Sequence, residues 1–414
     1  MLESLFPRAH ARYSSLPMVG GSLAGFCDWL DARGYPREAI RRRVWAAPWL
    51  EYRLRRNGVC TLGELTATTL RSYAPVRGRW GSLPRGALVR SLAHYLDARG
   101  ELAPTSPTPT ERRVADYCRH LERVRGLCSL TVATHAGTVR AFLRFLDHDT
   151  RPESLRELRI ADVDAFVAKV ARGVGRGRMS GVTATLRSFL RFLAATGEGS
   201  VGLDAQVESP RLWRSGRLPR ALAWEQVRAF IRSIDRGTPK GRRDYAIFLL
   251  IATYGLRTGE VRALGLDDLV WRRRQIRLPR PKVGVPLRLP LTDEVGTALL
   301  DYLQRDRPIA TCRHVFLRVE SPLGPLGPHA IGHAFRTWTR RAGIAVPDRG
   351  GPHSLRHALA LRLLREGAAL KTIGDILGHR SAEATGVYLR LDVNDLREVA
   401  LPLPSGAATE EVQS

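Results

Sequence analysis

Lysine is scarce in this 414-residue chain, although arginine is abundant. The only lysines are Lys169, Lys240, Lys282 and Lys371, whereas lysine and arginine together number 66. An arginine cannot release a proton near neutral pH, but a lysine can. Each remaining lysine is therefore a candidate for a role in which arginine would fail, such as donating a proton.

Cysteine pairs and long apolar runs are also missing. The chain has five cysteines, and none of them forms a C-x-x-C pair, which predicts a reduced, intracellular protein without a zinc ribbon. No apolar run reaches the ~18 residues that a membrane helix needs, and the N-terminus has no signal-peptide pattern. We therefore expect a cytoplasmic protein with no membrane partner, no bound metal and no cofactor.

The charge of the chain is strongly positive. Acidic residues number only 40, so the formal net charge is +26, and such an excess favours a polyanionic partner such as double-stranded DNA. A GC-rich coding bias would also raise the arginine content, but it leaves unexplained why the acidic residues have not risen to match.

Two stretches rich in proline, glycine, serine and threonine divide the chain. The first is Pro104-Thr-Ser-Pro-Thr-Pro-Thr110, and the second runs from about Gly197 to Pro219. The predicted divisions are an additional helical domain at 1–104, a second helical domain at 105–200, a linker at 201–218, a third domain at 219–395 and a polar tail at 396–414.

The first two domains share a sequence pattern. Thr61-Leu-Gly-Glu-Leu65 followed by Leu70 matches Ser154-Leu-Arg-Glu-Leu158 followed by Val163. Further matched pairs, in the same order, include Phe26 with Tyr117, Leu30 with Leu121, Leu92 with Phe189 and Leu96 with Leu193. The repetition predicts a duplicated helical unit with arginines on its outer face, although amphipathic helices of similar length can also match by chance.

The third domain mixes helices with a small sheet. Residues 244–254 form a strongly apolar helix pattern, and 276–278 and 285–289 indicate two strands around a turn. Thr292 is expected to open a further helix, and the pattern is helical from 328 nearly to 390. The predicted fold class is mainly α with a small β-sheet, with helical N-terminal domains before a mixed α+β domain.

The third domain also contains the groups that metal-free phosphodiester exchange requires. Donors must face the phosphoryl oxygens, a nucleophile must attack in line, and an acid must protonate the leaving 5′-oxygen. Arg257 occurs in Gly255-Leu-Arg-Thr-Gly-Glu260, where Glu260 can orient it. His353 and Arg356 are three residues apart and share a helix face. Tyr388 follows Leu377-Gly-His379 by nine residues.

Taken singly, each of these residues also has an ordinary structural explanation, as a surface arginine, a helix-capping histidine or a half-buried aromatic. Their common order in one segment resembles the catalytic domain of the tyrosine recombinases, the phage integrase family. The motif of that family consists of G-L-R-x-x-E, a hairpin lysine, H-x-x-R, a histidine after L-G and then a tyrosine. In this chain the motif falls on Arg257, Lys282, His353, Arg356, His379 and Tyr388.

The resemblance implies a mechanism. Arg257 and Arg356 would hold the scissile phosphate, and His353 and His379 would add hydrogen bonds and assist proton movement. Tyr388 would attack to give a 3′-phosphotyrosine, with no need for ATP or a metal. Lys282, assigned by counting back from Pro290-Leu291, would protonate the 5′-oxygen, although a solvent-facing strand lysine is an alternative.

Some positions depart from the family pattern or invite other assignments. Gly259 and Ala358 stand where many members have a serine or a small hydroxyl residue. We expect these two differences to affect packing rather than the chemistry of the site. His357 is expected to support its helix rather than the phosphate. His329 and His333 have the i,i+4 spacing of a zinc pair, but no third ligand is evident, and the nearby arginines favour a DNA-facing helix.

The resemblance extends to residues 105–200, which are similar to the helical, SAM-like core-binding domain of the family and would close around DNA with the catalytic domain. It implies a site-specific recombinase, integrase or transposase, acting as a homotetramer on two synapsed duplexes or with related recombinases. The tail, through a helix at 391–399, would dock on a neighbouring protomer. A type IB topoisomerase and a non-catalytic DNA-binding relative are the alternatives.

Overall fold

The computed structural model describes residues 1–75, 82–210, 221–278, 287–346, 350–378, 385–386 and 388. The predicted linker lies partly outside these ranges, and the predicted tail and its helix at 391–399 lie wholly outside them. No helix in the described ranges combines the length and the apolar character that crossing a membrane requires.

Helices dominate, and a small sheet accompanies them, as the fold-class prediction requires. The helices of the described residues up to position 210 are α1 (Leu2–Leu5), α2 (His10–Ser14), α3 (Gly20–Asp31), α4 (Arg37–Trp45), α5 (Ala47–Arg56), α6 (Ala67–Ser72), α7 (Ser82–Ala98), α8 (Pro109–Arg123), α9 (Ser129–Phe145), α10 (Ile160–Ala171), α11 (Arg176–Ala195) and α12 (Leu203–Gln206).

The remaining helices are α13 (Trp224–Arg232), α14 (Pro239–Tyr254), α15 (Thr258–Ala263), α16 (Asp293–Arg305), α17 (Ala330–Arg341), α18 (His353–Arg365) and α19 (Leu370–Leu377). The strands are β1 (Leu269–Val270), β2 (Gln275–Leu278) and β3 (Leu287–Pro290). They form one antiparallel sheet in the order β1-β2-β3.

The chain packs as two compact units. One consists of Met1–Arg56, Pro75–Tyr95 and Arg217–Ser414, and the other of Asn57–Ala74 and Leu96–Gly216. Residues 1–104, predicted as one helical domain, therefore contribute to both units. The predicted domain boundaries stay predictions.

The core of the second unit is built from helices α8 to α11 and is rich in aromatic rings. Tyr117 packs edge-on against Phe189, with ring centroids 5.2 Å apart, and its hydroxyl lies 2.9 Å from Nδ1 of His135. Leu203 and Val207 are also buried in this core, so the start of the predicted linker packs against the helices. Its glycine-rich composition gave no sign of this contact.

Four pairs of apolar positions matched between the first two sequence repeats are buried in both. Phe26, Leu30, Leu92 and Leu96 in one segment, and Tyr117, Leu121, Phe189 and Leu193 in the other, are each 0% exposed. The motif around Glu64 contains a 3₁₀ turn and is followed by α6 and α7. A 3₁₀ turn also leads into the motif around Glu157, which is followed by α10 and α11. A duplicated unit would have matching buried positions and the same order of turn and helices. This agreement therefore supports our proposal that the unit is duplicated.

Within the first unit, the loop after α3 contacts a loop that precedes α17. The backbone N–H of Leu323 donates to the carbonyl oxygen of Arg33 at 3.2 Å, and the hydroxyl of Ser321 donates to the carbonyl oxygen of Gly34. Gly34 has a left-handed backbone (φ +72°), and a Cβ there would lie 2.5 Å from the Leu323 side chain. Glycine therefore permits this close approach.

The largest core that the described residues show surrounds α14, whose residues from Ala246 to Ala252 are all buried. Phe248 packs against Phe230 of α13 and Phe335 of α17, with ring centroids 5.1 and 6.0 Å away. Near the start of α14, the fully buried Asp244 accepts hydrogen bonds from Arg243 and from Nε1 of Trp338. Burial of this charge is tolerated because both carboxylate oxygens have donors.

The sheet covers one side of this core. Ile276, Leu278 and Leu289 are buried, while Arg277 and Arg288 between them are exposed, which is the alternation expected of a half-buried strand. The predictions of an apolar helix at 244–254, two paired strands and a helix opened by Thr292 are confirmed by α14, by β2 with β3, and by α16.

Candidate active site

Arg257 is positioned by the end of α14. The helix ends at Gly255, whose left-handed backbone (φ +64°) turns the chain away from the helix axis. Arg257 is then the N-cap residue of α15, and Glu260 in the first turn of that helix accepts a hydrogen bond from the Arg257 backbone N–H at 2.8 Å. The other carboxylate oxygen of Glu260 accepts from Nη1 of Arg257 at 3.0 Å, so one side chain orients both parts of the arginine.

Arg356 and His353 lie in the first turn of α18, which begins at His353 as the sequence predicts. Arg356 is only 4% exposed. Its guanidinium donates to the carbonyl oxygen of Gly255 and, through Nη2, to the carbonyl oxygen of Leu377 at 2.6 Å. A buried arginine is thereby anchored to the ends of two other helices.

Both arginines contact the end of α19. Gly378 has a left-handed backbone (φ +64°) and stops the helix. Its carbonyl oxygen accepts a hydrogen bond from Nη2 of Arg257 at 3.0 Å, one residue beyond the Leu377 carbonyl that Arg356 contacts. These two adjacent carbonyls have no partner within the helix. They accept hydrogen bonds from the two guanidinium groups instead and so hold them side by side.

Tyr388 is buried beside α19. It is 1% exposed and packs with Ala360 of α18 and with Ile373 and Leu377 of α19. Gly374 permits this approach, because a Cβ there would lie 3.0 Å from Oγ1 of Thr385. The Tyr388 backbone N–H donates to the carbonyl oxygen of Thr385 at 3.0 Å, which fixes the turn that presents the tyrosine.

The charges of the two arginines act on both Tyr388 and His353. Burial raises the pKa of the Tyr388 phenol, and the positive charges of Arg356 and Arg257 partly oppose that rise. Partial loss of hydration lowers the pKa of His353, as do Arg356 and Arg257, while Glu260 opposes the decrease. The structure therefore brings four of the six predicted residues together in one positively charged site.

The other two predicted residues, Lys282 and His379, lie outside the described residues. His379 would follow Gly378 directly, and Lys282 belongs to the connection between β2 and β3. Their roles stay predictions. His329 immediately precedes α17 and His333 lies within it, so their predicted i,i+4 spacing falls at the start of a helix.

Sequence reasoning missed the contact that His357 makes. Its Nδ1 lies 2.9 Å from the hydroxyl oxygen of Tyr388, although we expected this histidine only to support its helix. The available signal was its spacing from His353, since residues four apart lie on one helix face. Gly259 has open space where a side chain would stand, so the departure from the family pattern there does not disturb packing.

Comparison with known proteins agrees with this geometry. The phage integrase family model matches residues 220–395, and the model of the phage integrase N-terminal SAM-like domain matches residues 114–197. The chain is 38% identical to the putative integrase/recombinase y4rA of Sinorhizobium fredii, over 92% of this chain and 94% of that protein. It is 33% identical to the tyrosine recombinase XerC of a Methylobacterium species, over 67% and 88%.

Solved structures share the fold. The XerH site-specific recombinase, solved with a palindromic difH substrate after cleavage, has a TM-score of 0.55 and 16% identity, with 72% of this chain and 97% of that chain covered. A λ integrase dimer bound to a COC′ core site has a TM-score of 0.52 and 17% identity, with 67% and 94% covered. The chain therefore belongs to the phage integrase family of tyrosine recombinases, and it is a DNA recombinase.

Proposed function

We propose that this recombinase cleaves and rejoins double-stranded DNA at specific sites through a 3′-phosphotyrosine on Tyr388. The phenolic oxygen attacks the scissile phosphorus and releases a 5′-hydroxyl. The phosphotyrosine bond retains the energy of the broken phosphodiester, so rejoining requires no ATP. The arginines supply the charge stabilisation that a metal ion provides in other phosphoryl transfer sites.

The observation that carries this proposal is the shared environment of Tyr388, Arg257 and Arg356 within one chain. Both guanidinium groups lie close enough to influence the pKa of the phenol, and both are held by the end of α19. Fixed donors that face the position of a developing charge are the most effective form of transition-state stabilisation. An anionic phosphoryl group suits this site.

The remaining roles are assigned by motif. We propose that His353 and His379 donate hydrogen bonds to the phosphate and that Lys282 protonates the departing 5′-oxygen. An ammonium group can give up its proton in this way, whereas a guanidinium cannot. The scarcity of lysine in the chain supports a specific requirement at position 282.

Trapping the covalent adduct tests the nucleophile. The DNA that flanks the gene of this protein is incubated with the chain, and a nick beside the cleavage position lets a short fragment diffuse away, so that rejoining fails. We expect a protein–DNA adduct with the wild type and none with Tyr388→Phe, which lacks only the hydroxyl. An adduct that persists in Tyr388→Phe, mapped by mass spectrometry to another residue, would reject the assignment.

A sulfur substitution tests Lys282 separately. Lys282→Arg keeps the positive charge and is expected to bind DNA normally but to cleave it slowly. A substrate with sulfur in place of the bridging 5′-oxygen should restore the rate, because a thiolate leaves without being protonated. If the sulfur substrate gives no recovery, the acid is another group.

We further propose that two duplexes are exchanged within a homotetramer, or within a mixed assembly with related recombinases, in the cytoplasm. A basic chain and solved relatives bound to DNA as a dimer or at a palindromic substrate support a multimeric DNA complex. Native mass measurement with two site-bearing duplexes is expected to give four protomers per pair. Relaxation of supercoils by a monomer without strand exchange would instead indicate a topoisomerase.

A further inference from the structure

The hydroxyl of Tyr388 contacts a group that the family motif does not include. Nδ1 of His357 lies 2.9 Å from the phenolic oxygen, and the two ring centroids are 5.6 Å apart. Tyr388 is 1% exposed, so its side chain has little direct contact with bulk water. A group that already lies against the oxygen is therefore better placed than water to receive its proton.

The neighbouring arginines cannot receive it. A guanidinium has five N–H donors and no acceptor, and it stays charged at all ordinary pH values. Arg257 and Arg356 can stabilise a phenolate, but they cannot take its proton. A neutral imidazole has one acceptor nitrogen, and when Nε2 carries the hydrogen, Nδ1 directs its lone pair at the phenol.

Helix geometry places this imidazole on the same face as the phosphate-binding groups. His353, Arg356 and His357 have i, i+3 and i+4 spacing on α18 and so form one patch along its first turn and the start of the second. Burial raises the pKa of the Tyr388 phenol, which makes spontaneous loss of the proton at neutral pH unfavourable. A nucleophile of this kind requires a base in contact with it.

We propose that His357 is the general base of strand cleavage, an inference that rests on the proposed role of Tyr388 as the nucleophile. The phenolic O–H bond breaks and its proton moves to Nδ1 of His357 while the oxygen–phosphorus bond forms. The bond from phosphorus to the 5′-oxygen breaks, and that oxygen takes a proton from the acid, proposed above to be Lys282. In rejoining, His357 returns its proton to the departing tyrosine oxygen.

The decisive variant is His357→Asn. The asparagine amide oxygen can occupy a position close to that of Nδ1, so the variant keeps a hydrogen-bond acceptor for Tyr388 but cannot take up a proton. With the nicked substrate, we expect the single-turnover rate of adduct formation to fall by about 10²–10⁴. The thermal unfolding midpoint and the DNA dissociation constant should stay at wild-type values. Rejoining should slow by the same factor, because the same proton returns.

The pH profile provides a readout that a structural role would not alter. The wild-type rate should rise with pH as His357 becomes neutral, and His357→Asn should lose this rise. Among the described residues, the charges of Arg356 and Arg257 act on the Tyr388 phenol, His353 lies beside these arginines and Glu260, and α19 contributes apolar side chains. Because His353 also titrates, the rise must persist in His353→Gln.

Chemical rescue gives a second, independent readout. His357→Ala opens space beside the Tyr388 hydroxyl, and added imidazole should restore part of the cleavage rate in proportion to the fraction of neutral imidazole. His357→Asn cannot be rescued in this way, because its side chain fills the space. Wild-type rate and pH dependence in His357→Asn would overturn the proposal. Adduct formation by Tyr388→Phe would instead overturn the assignment of the nucleophile, so the two failures are distinguishable.

Discussion

Nη2 of Arg356 lies 2.6 Å from the carbonyl oxygen of Leu377, and the same guanidinium donates to the carbonyl oxygen of Gly255. One buried side chain therefore ties α18 to the ends of α14 and α19. The first of these ends precedes Arg257 and the second precedes His379. Because Arg356 fixes both neighbouring segments, it contributes to stability as well as to the proposed chemistry.

Lysine substitutions should separate these two contributions. Arg356→Lys keeps the charge but cannot span the two carbonyls, so we expect the free energy of unfolding to fall by about 1.5–3 kcal/mol. Arg257→Lys, at a side chain that is 40% exposed, should unfold almost as the wild type does. Both variants should cleave about 10²–10³ times more slowly. Urea denaturation and single-turnover cleavage measure the two effects, and equal stability losses in both variants would contradict the distinction.

Gly374 should matter for the placement of Tyr388. An alanine Cβ there would lie 3.0 Å from Oγ1 of Thr385, so Gly374→Ala should push the 385–388 turn away from α19. We expect slower adduct formation with unchanged DNA affinity. Thr385→Ala removes the obstructing oxygen, and the double variant should therefore regain much of the rate. A double-mutant cycle measures this coupling, and purely additive effects would count against the contact.

Much of this architecture was predictable because local patterns determine it. The apolar period of α14, the alternation in β2 and β3, the start of α16 after Thr292 and the start of α18 all depend on residues near one another in the chain. The order of the motif residues identified the family in the same way. The assignment of individual roles to them remains a prediction.

The rest depends on contacts between distant segments, which local patterns do not encode. The proximity of His357 and Tyr388 requires the 385–388 turn to pack on α19, and that packing depends on the missing side chain at Gly374. The burial of Val207 and the contact between Gly34 and Ser321 have the same origin. Each joins residues that are far apart in the sequence, and only the segment of Val207 had been predicted as a linker.

Two glycines in the same region should respond differently to substitution. Gly255 has φ +64°, and a Cβ there would lie 2.5 Å from Leu377 Cδ2, so Gly255→Ala combines backbone strain of about 1–2 kcal/mol with a clash. Gly259 in α15 has open space, and Gly259→Ala should be neutral or stabilising by up to about 1 kcal/mol. Thermal unfolding measures both, and a comparable loss in Gly259→Ala would contradict this account.

DNA binding should depend on pH through His353. In the free protein, partial desolvation and the two arginines lower the pKa of His353, whereas a bound phosphate would raise it. The complex then binds more protons than the free protein, so the dissociation constant should decrease as pH falls through the interval between the raised pKa of the complex and the lowered pKa of the free protein. Fluorescence anisotropy should show a flatter dependence for His353→Gln. His10→Gln, in α2, serves as the control and should keep the wild-type slope.

The exposed face of the sheet should bind phosphate outside the cleavage site. Arg277 of β2 and Arg288 of β3 are direct partners in the register, both are exposed, and the sequence has no acidic residue from 269 to 292. Like charges that face each other across strands destabilise a sheet, so an anion on this face would relieve the repulsion.

Replacing one member of this pair should therefore have opposite effects on folding and binding. Arg277→Gln is expected to raise the free energy of unfolding slightly, by about 0.2–1 kcal/mol, and to weaken DNA binding. The slope of log affinity against log salt should become smaller by about 0.9, the value for one lost phosphate contact. Arg305→Gln, whose charge is balanced by Asp301, should leave the slope unchanged. An unaltered slope in Arg277→Gln would show that the DNA does not reach this face.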